Sequence, residues 1–311
     1  MRQRIKPRRL KKGDTIGITA PAGWGSTEKM LAAAAWLEGL GYRVKLGKTL
    51  TKRYGYLAGT DKERAEELNS MFADPFIQAI LCARGGYGTA RIAELLDYES
   101  IRRNPKLFWG YSDITFLHAA IAKYAGLVTF HGPMLLDLAK EDVHPLTLAN
   151  FETWSVPMTF KYTEHVAPLT ALAEGEAEGI LTGGNLSLLV STLGTAFELD
   201  TAGKLLLIED IGEEPYRLDR MLNQLRLAGK FADASGIILG DFHDCDPPKE
   251  KDRESLSLAE VLADHVVSAG KPVLAGFRIG HCSPNIAVPL GVHARLNTYE
   301  KLLECSEPAI W

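Results

Sequence analysis

Long apolar runs are missing from this chain. No stretch approaches the roughly 20 residues needed to span a bilayer. An excess of positive charge is missing too: 35 Lys and Arg against 39 Asp and Glu leave a net charge of -4, so no basic field points to nucleic acid. Cysteine is scarce, with four in 311 residues. Cys82, Cys245, Cys282 and Cys305 form no Cys-x-x-Cys pair, which argues against a structural zinc or a redox motif, and free thiols are expected. There is no internal repeat and no low-complexity tract. Hydrophobic residues at 46% and charged residues at 24% exclude a disordered tail protein and a coiled coil. What is present above the average is glycine, 29 residues or about 9% against roughly 7%. Glycine marks places where a backbone turns sharply or approaches something closely.

The basic start, Met1 to Lys12, resembles the n-region of a secretory signal. Gly13-Asp14 and Pro21 interrupt the apolar stretch that should follow, so a cytoplasmic protein is expected. The first half then alternates strand-like and helix-like segments. Thr15 to Thr19, Tyr42 to Leu46, Ile77 to Cys82 and Leu107 to Gly110 read as strands. Lys29 to Leu40, Asp61 to Phe72 (with Asp61 as N-cap), Thr89 to Leu96 and Ile114 to Tyr124 read as helices. Such alternation predicts a mostly parallel sheet covered by helices. The texture changes around residues 150–175, where prolines and the acidic, glycine-punctuated run Glu174 to Gly179 suggest a boundary. Two domains are expected, 1–160 and 161–311. In the second, Leu205 to Ile208, Ile237 to Leu239 and Val273-Leu274 are apolar runs, and Arg217 to Leu227 and Leu258 to Ala269 read as helices. Asp244 to Glu254 reads as a solvated loop.

Three places could carry chemistry. Gly110-Tyr111-Ser112-Asp113 sits after a strand and before a helix, a tight turn that exposes a serine beside free backbone N–H groups. The alternative is that Ser112 or Asp113 merely caps the helix. Arg84-Gly85-Gly86-Tyr87-Gly88 occupies an equivalent position one strand earlier. It is neither Gly-x-Gly-x-x-Gly nor a P-loop, and reads as an amide cradle or an ordinary turn. A serine nucleophile needs a base and an orienting acid. His131, His281 and His293 are candidate bases, and Glu209-Asp210 closes an apolar strand with two carboxylates. The residues alone do not choose among these pairs.

Taken together, these segments resemble the LD-carboxypeptidases, a serine peptidase family that includes muramoyltetrapeptide carboxypeptidases and the microcin C self-immunity peptidases. The resemblance runs through Thr19 to Gly23, Arg84 to Gly88, Gly110 to Asp113, His131 to Met134, Gly183 to Leu186, Ile208 to Asp210, Arg217 to Leu222 and Gly280-His281. It implies an α/β fold: an N-terminal Rossmann-like domain with a mostly parallel sheet, a smaller C-terminal α/β domain, and an active site between them. It implies Ser112 as nucleophile, His281 as base and Glu209 as orienting acid. The backbone N–H groups of Gly86 and Asp113 would form the oxyanion hole. Arg84 and Tyr216 are candidate substrate contacts; no metal or other cofactor is expected.

The implied activity is release of the terminal D-alanine from L,D-linked murein tetrapeptide during cytoplasmic cell-wall recycling. The implied state is a homodimer, with no nucleic-acid or membrane partner. One alternative keeps the triad but cleaves a microcin C-like peptidyl nucleotide. Relatives of that kind tend to carry an extended loop with an aromatic, whereas Asp244 to Glu254 is short and has none. A second alternative, a non-enzymatic Rossmann-like binder of nucleotides or sugar phosphates, lacks the glycine fingerprint and has no use for the triad.

Overall fold

In the computed structural model, residues 4–157, 159–247 and 254–311 are described. In chain order, the first stretch holds β1 (Thr15–Thr19), α1 (Thr27–Gly39), β2 (Arg43–Leu46), α2 (Asp61–Ala73), β3 (Ile77–Cys82) and α3 (Tyr98–Arg103). It continues with β4 (Leu107–Gly110), α4 (Thr115–Tyr124), β5 (Thr129–His131) and α5 (Pro145–Glu152). Next come β6 (Lys161–Tyr162), β7 (Thr170–Ala173), β8 (Glu176–Asn185), α6 (Leu186–Ser191) and β9 (Lys204–Ile211). The chain then forms α7 (Pro215–Leu227), α8 (Lys230–Asp233), β10 (Gly236–His243), α9 (Leu258–His265) and β11 (Val273–Ala275). It ends with β12 (Val288–Leu290), β13 (His293–Asn297) and β14 (Leu302–Cys305).

The chain is a two-domain α/β protein. One compact unit comprises Met1–Met158 together with Ser283–Gly291 and Pro308–Trp311; the other comprises Thr159–Cys282 and Val292–Glu307. The division is therefore more than a single cut near residue 160, because two late segments return to the first unit.

The first unit carries a six-stranded sheet in the order β12-β5-β4-β3-β1-β2. Every neighbouring pair is parallel except β12 with β5. β4 is buried along its whole length, as expected of an apolar strand inside a parallel sheet. Leu68 and Phe72 of α2, Ile80 of β3, Phe108 of β4 and Leu117 and Ile121 of α4 share one core. Burial of each such side chain contributes roughly 1.5–3 kcal/mol. α2 starts from Thr60, not Asp61: the Thr60 hydroxyl accepts from the Glu63 amide while the Glu63 carboxylate accepts from the Thr60 amide. This reciprocal box satisfies two orphan donors at once, which a lone Asp61 cap would not. The expected helix over Thr89 to Leu96 is a 3-10 helix, Ala90–Leu95.

The second unit carries an eight-stranded mixed sheet, β6-β14-β13-β8-β9-β10-β11-β7. β8 to β11 run parallel, and antiparallel strands flank them on both sides. Of the acidic, glycine-punctuated run read as a boundary, Glu176 to Gly179 open β8. Glu176 and Glu178 are exposed and Ala177 half-buried, whereas Leu181 and Gly183 to Asn185 are buried, so polar residues at one end fit a strand that dives into a core. Of the loop expected from Asp244 to Glu254, residues 248–253 lie outside the described residues, as do residues 1–3 of the basic start. The four cysteines are free thiols. Among the described residues no helix is long and apolar enough to cross a membrane.

Candidate active site

In the first unit, β4 ends at Gly110 and a short 3-10 turn, Ser112–Ile114, leads into α4. Ser112 has φ +64°. A non-glycine residue held in this left-handed region costs of order 1–3 kcal/mol, and such residues gather at functional sites. The capping alternative fails at both residues. The turn begins at Tyr111 with no side-chain cap, and the Asp113 carboxylate accepts instead from the Thr89 amide at 2.8 Å. The Thr89 hydroxyl donates back to the Asp113 carbonyl at 2.5 Å. Burial, the largest influence, pushes the Asp113 carboxyl up, with the bonds from Thr89 opposing it.

The glycine loop lies directly on this turn. A Cβ on Gly85 would sit 2.8 Å from the Ser112 Cβ and 2.9 Å from its Oγ, so only glycine fits there. Gly86 has φ +111° and Gly88 φ +126°, conformations that L side chains rarely adopt. Behind the turn, the buried His118 ring bonds the Gly110 carbonyl through Nε2 at 2.8 Å. The ring must donate from Nε2, because a carbonyl can only accept. Burial pulls the His118 pKa down to about 4, so the ring is neutral near pH 7.

In the second unit, β9 brings Glu209 and Asp210 to the end of a buried strand, and the two carboxylates divide their tasks. Glu209 is fully buried, and its Oε2 accepts from His281 Nδ1 at 2.7 Å. That bond leaves Nε2 as the imidazole's basic nitrogen. Burial raises the Glu209 carboxyl, with His281 pulling the other way. Asp210 accepts from Asn185 Nδ2 at 2.9 Å and from the amide and hydroxyl of Ser187 at 3.0 and 2.8 Å, tying down the start of α6. The loop carrying His281 can approach Glu209 because Gly280, at φ +115°, has no side chain. A Cβ there would lie 2.4 Å from Glu209 Oε2.

The other candidates fall as follows. His131 is buried in β5, and His293, in β13, bonds the Ser306 hydroxyl through Nδ1 at 3.2 Å. Arg84 donates to the Trp24 carbonyl at 2.7 Å. Tyr216, on α7, is 54% exposed and accepts from Arg217 Nε at 3.0 Å. Arg217 also faces Glu213 at 3.7 Å, the ordinary pairing of an exposed helix face. Sequence reasoning passed over Arg64, whose helical position resembles any solvent-facing arginine; its side chain is fully buried beneath the glycine loop.

Comparison with known proteins gives a consistent result. Residues 16–132 match the family model described as LD-carboxypeptidase N-terminal domain, and residues 178–296 match LD-carboxypeptidase C-terminal domain. A protein of Bacillus subtilis (strain 168) named probable murein peptide carboxypeptidase is 58% identical over 297 residues, covering 95% of this chain and 92% of that one. Among solved structures, the microcin C7 self-immunity protein in complex with aspartyl sulfamoyl adenosine superposes with a TM-score of 0.88. It is 28% identical, with 99% of this chain and 100% of that one covered. The muramoyltetrapeptide carboxypeptidase of Oxalobacter formigenes gives a TM-score of 0.84 at 29% identity, covering 94% and 99% of the two chains.

Proposed function

Because the chain belongs to the LD-carboxypeptidase family and is a serine carboxypeptidase, we propose that it releases the terminal D-alanine from L,D-linked murein tetrapeptide through Ser112, His281 and Glu209. The observation that carries the reading is the Glu209–His281 pair. A buried carboxylate holding Nδ1 at 2.7 Å fixes the tautomer that a general base needs. The name of the Bacillus subtilis relative supports a murein peptide as substrate.

In this mechanism His281 Nε2 takes the proton from Ser112 Oγ as the oxygen attacks the carbonyl of the penultimate residue. The amides of Gly86 and Asp113 stabilise the tetrahedral oxyanion, each contributing about 3 kcal/mol. The intermediate collapses, the protonated His281 returns its proton to the leaving amine, and D-alanine departs. Water, activated by the same imidazole, then hydrolyses the acyl-Ser112 ester. Glu209 stabilises the imidazolium throughout without itself taking the proton. Arg84 and Tyr216 are the proposed contacts to the rest of the peptide. In this reading the substrate is recycled cell-wall peptide in the cytoplasm.

The test is incubation of the purified protein with murein tetrapeptide, in diaminopimelate and lysine forms, and in parallel with a peptidyl adenylate. D-Alanine release by the wild-type chain, lost in a folded Ser112→Ala variant, is the expected result. Near-wild-type release by Ser112→Ala refutes the nucleophile. Cleavage of the peptidyl adenylate without D-alanine release replaces the substrate.

A further inference from the structure

A glycine-rich loop is a poor platform for oxyanion stabilisation unless something fixes it, because catalysis of this kind depends on donors held in place before the reaction. Arg64, in α2, is placed to do this. Its guanidinium is completely buried, and Nη1 donates both to the Gly88 carbonyl, at 2.8 Å, and to the Pro21 carbonyl. Nη2 donates to Asp61, whose carboxylate is gripped from outside by Arg91 through bonds of 2.8 to 3.1 Å. A Cβ on Gly88 would lie 2.5 Å from Leu57 Cδ2 and 3.0 Å from Arg64 Nη1, so the loop packs directly on both the leucine and the guanidinium. Pro21 precedes Gly23, whose amide donates to the Gly85 carbonyl at 3.2 Å. The far side of the loop is held by the two bonds between Thr89 and Asp113.

The chemistry of this arrangement is costly for stability alone. Desolvating a guanidinium carries a penalty of several kcal/mol, and an apolar side chain of similar volume commonly serves a core at least as well. The Asp61 partner is 30% exposed, so the pair is not a closed, fully buried ion pair. What a guanidinium offers that an apolar chain does not is a rigid fork reaching two carbonyls and a carboxylate at once. We infer that Arg64 is a positioning residue, whose fork locks the Gly85–Gly88 loop onto the Ser112 turn and so sets the oxyanion-hole amides. The inference rests on the proposed serine mechanism, and Arg64 acts through the loop without touching substrate.

The experiment uses the full chain as wild type, Arg64→Lys, Arg64→Met and Thr89→Val. The readouts are the thermal midpoint, the rate at which a fluorophosphonate labels Ser112, and kcat and KM for murein tetrapeptide followed across pH. The probe's phosphonyl oxygen draws on the same amides, so labelling reports on the hole without requiring the right substrate. Displacement of a catalytic group by about 1 Å lowers rates by ~10²-fold. Folded Arg64 variants are therefore expected to label and turn over about 100-fold more slowly, with KM changed by no more than about twofold and the pH profile unmoved. A merely structural role would lower the midpoint and leave the rate per folded molecule intact. A folded Arg64→Lys or Arg64→Met that labels at the wild-type rate overturns the inference. If neither folds, Thr89→Val, which removes the hydroxyl bond to the Asp113 carbonyl and keeps the amide bond to its carboxylate, must show a loss of kcat at constant KM. Wild-type labelling at Ser112 without D-alanine release sinks the substrate assignment and leaves the clamp to be judged on labelling. Absence of wild-type labelling overturns both.

Discussion

The buried His118 ring makes the stability of the first unit dependent on pH in a calculable way. Its folded pKa of about 4 lies below the ordinary value of 6.5. The unfolded chain thus takes up this proton first, and the stabilisation is complete above pH 6.5 and drains away as the pH falls toward 4. Linkage with these two values gives less than about 0.1 kcal/mol at pH 7.5 and about 2.5 kcal/mol of lost stability at pH 4.5. His118→Gln keeps an N–H donor within reach of the Gly110 carbonyl but cannot titrate. The substitution itself is expected to cost about 1–2 kcal/mol at every pH. The difference in unfolding free energy between pH 7.5 and 4.5 should therefore be about 2.5 kcal/mol smaller in the variant. All five tryptophans (Trp24, Trp36, Trp109, Trp154 and Trp311) belong to the first unit, so selectively excited tryptophan fluorescence in urea reads this unit. With an m-value near 2–3 kcal/mol/M, the wild-type midpoint should move about 1 M further than the variant's over that pH range. Other groups contribute to the acid slope but are common to both proteins. Parallel shifts of the two midpoints would refute the reasoning, because His118 would then not be held neutral by burial.

Two further outcomes follow from the backbone. Ser112 sits at φ +64°, so Ser112→Gly should raise the thermal midpoint above that of Ser112→Ala, by a strain relief of about 1–3 kcal/mol less the entropic cost of glycine. An alanine variant as stable as the glycine one would remove the strain argument, and both should be inactive. Gly280→Ala places a Cβ 2.4 Å from Glu209 Oε2 in a backbone region closed to alanine. It should lower kcat by ~10²-fold or more, and normal kinetics in this variant would show that the Glu209–His281 contact is dispensable.

The sequence conveyed the parallel core of the first unit well, since β1, β3 and β4 are apolar runs with buried burial patterns and their bounds follow the pattern. β8 was not legible, because Glu176, Glu178 and Gly179 look like linker residues until β13 pairs with them, and β9 joins the strand only from Ile180 onward. The serine turn could be located from its strand–turn–helix setting, but its left-handed backbone could not, as nothing in the letters Gly-Tyr-Ser-Asp distinguishes a strained turn from a cap. The choice of base was beyond local reasoning for a similar cause. Glu209 and His281 stand 72 residues apart, and only the register of β9 and the freedom of Gly280 bring them into contact. Arg64 illustrates the opposite failure, a charge in a helical pattern that reads as solvent-facing and is fully buried.

The late return of the chain to its first sheet has a consequence for synthesis. β12 pairs with β5 in antiparallel register from Val288–His131 to Leu290–Thr129. The Trp311 carbonyl accepts from the Arg9 amide at 2.8 Å, and its indole donates to the Lys6 carbonyl at 3.0 Å. A chain emerging in order from the ribosome therefore makes all of the second unit before the first can be completed. Until Leu290 emerges, β5 is an unpaired edge, open to mispairing with other strands. The nascent first unit must wait through more than a hundred residues of synthesis, while the whole of the intervening sequence Thr159–Cys282 becomes available to fold ahead of it.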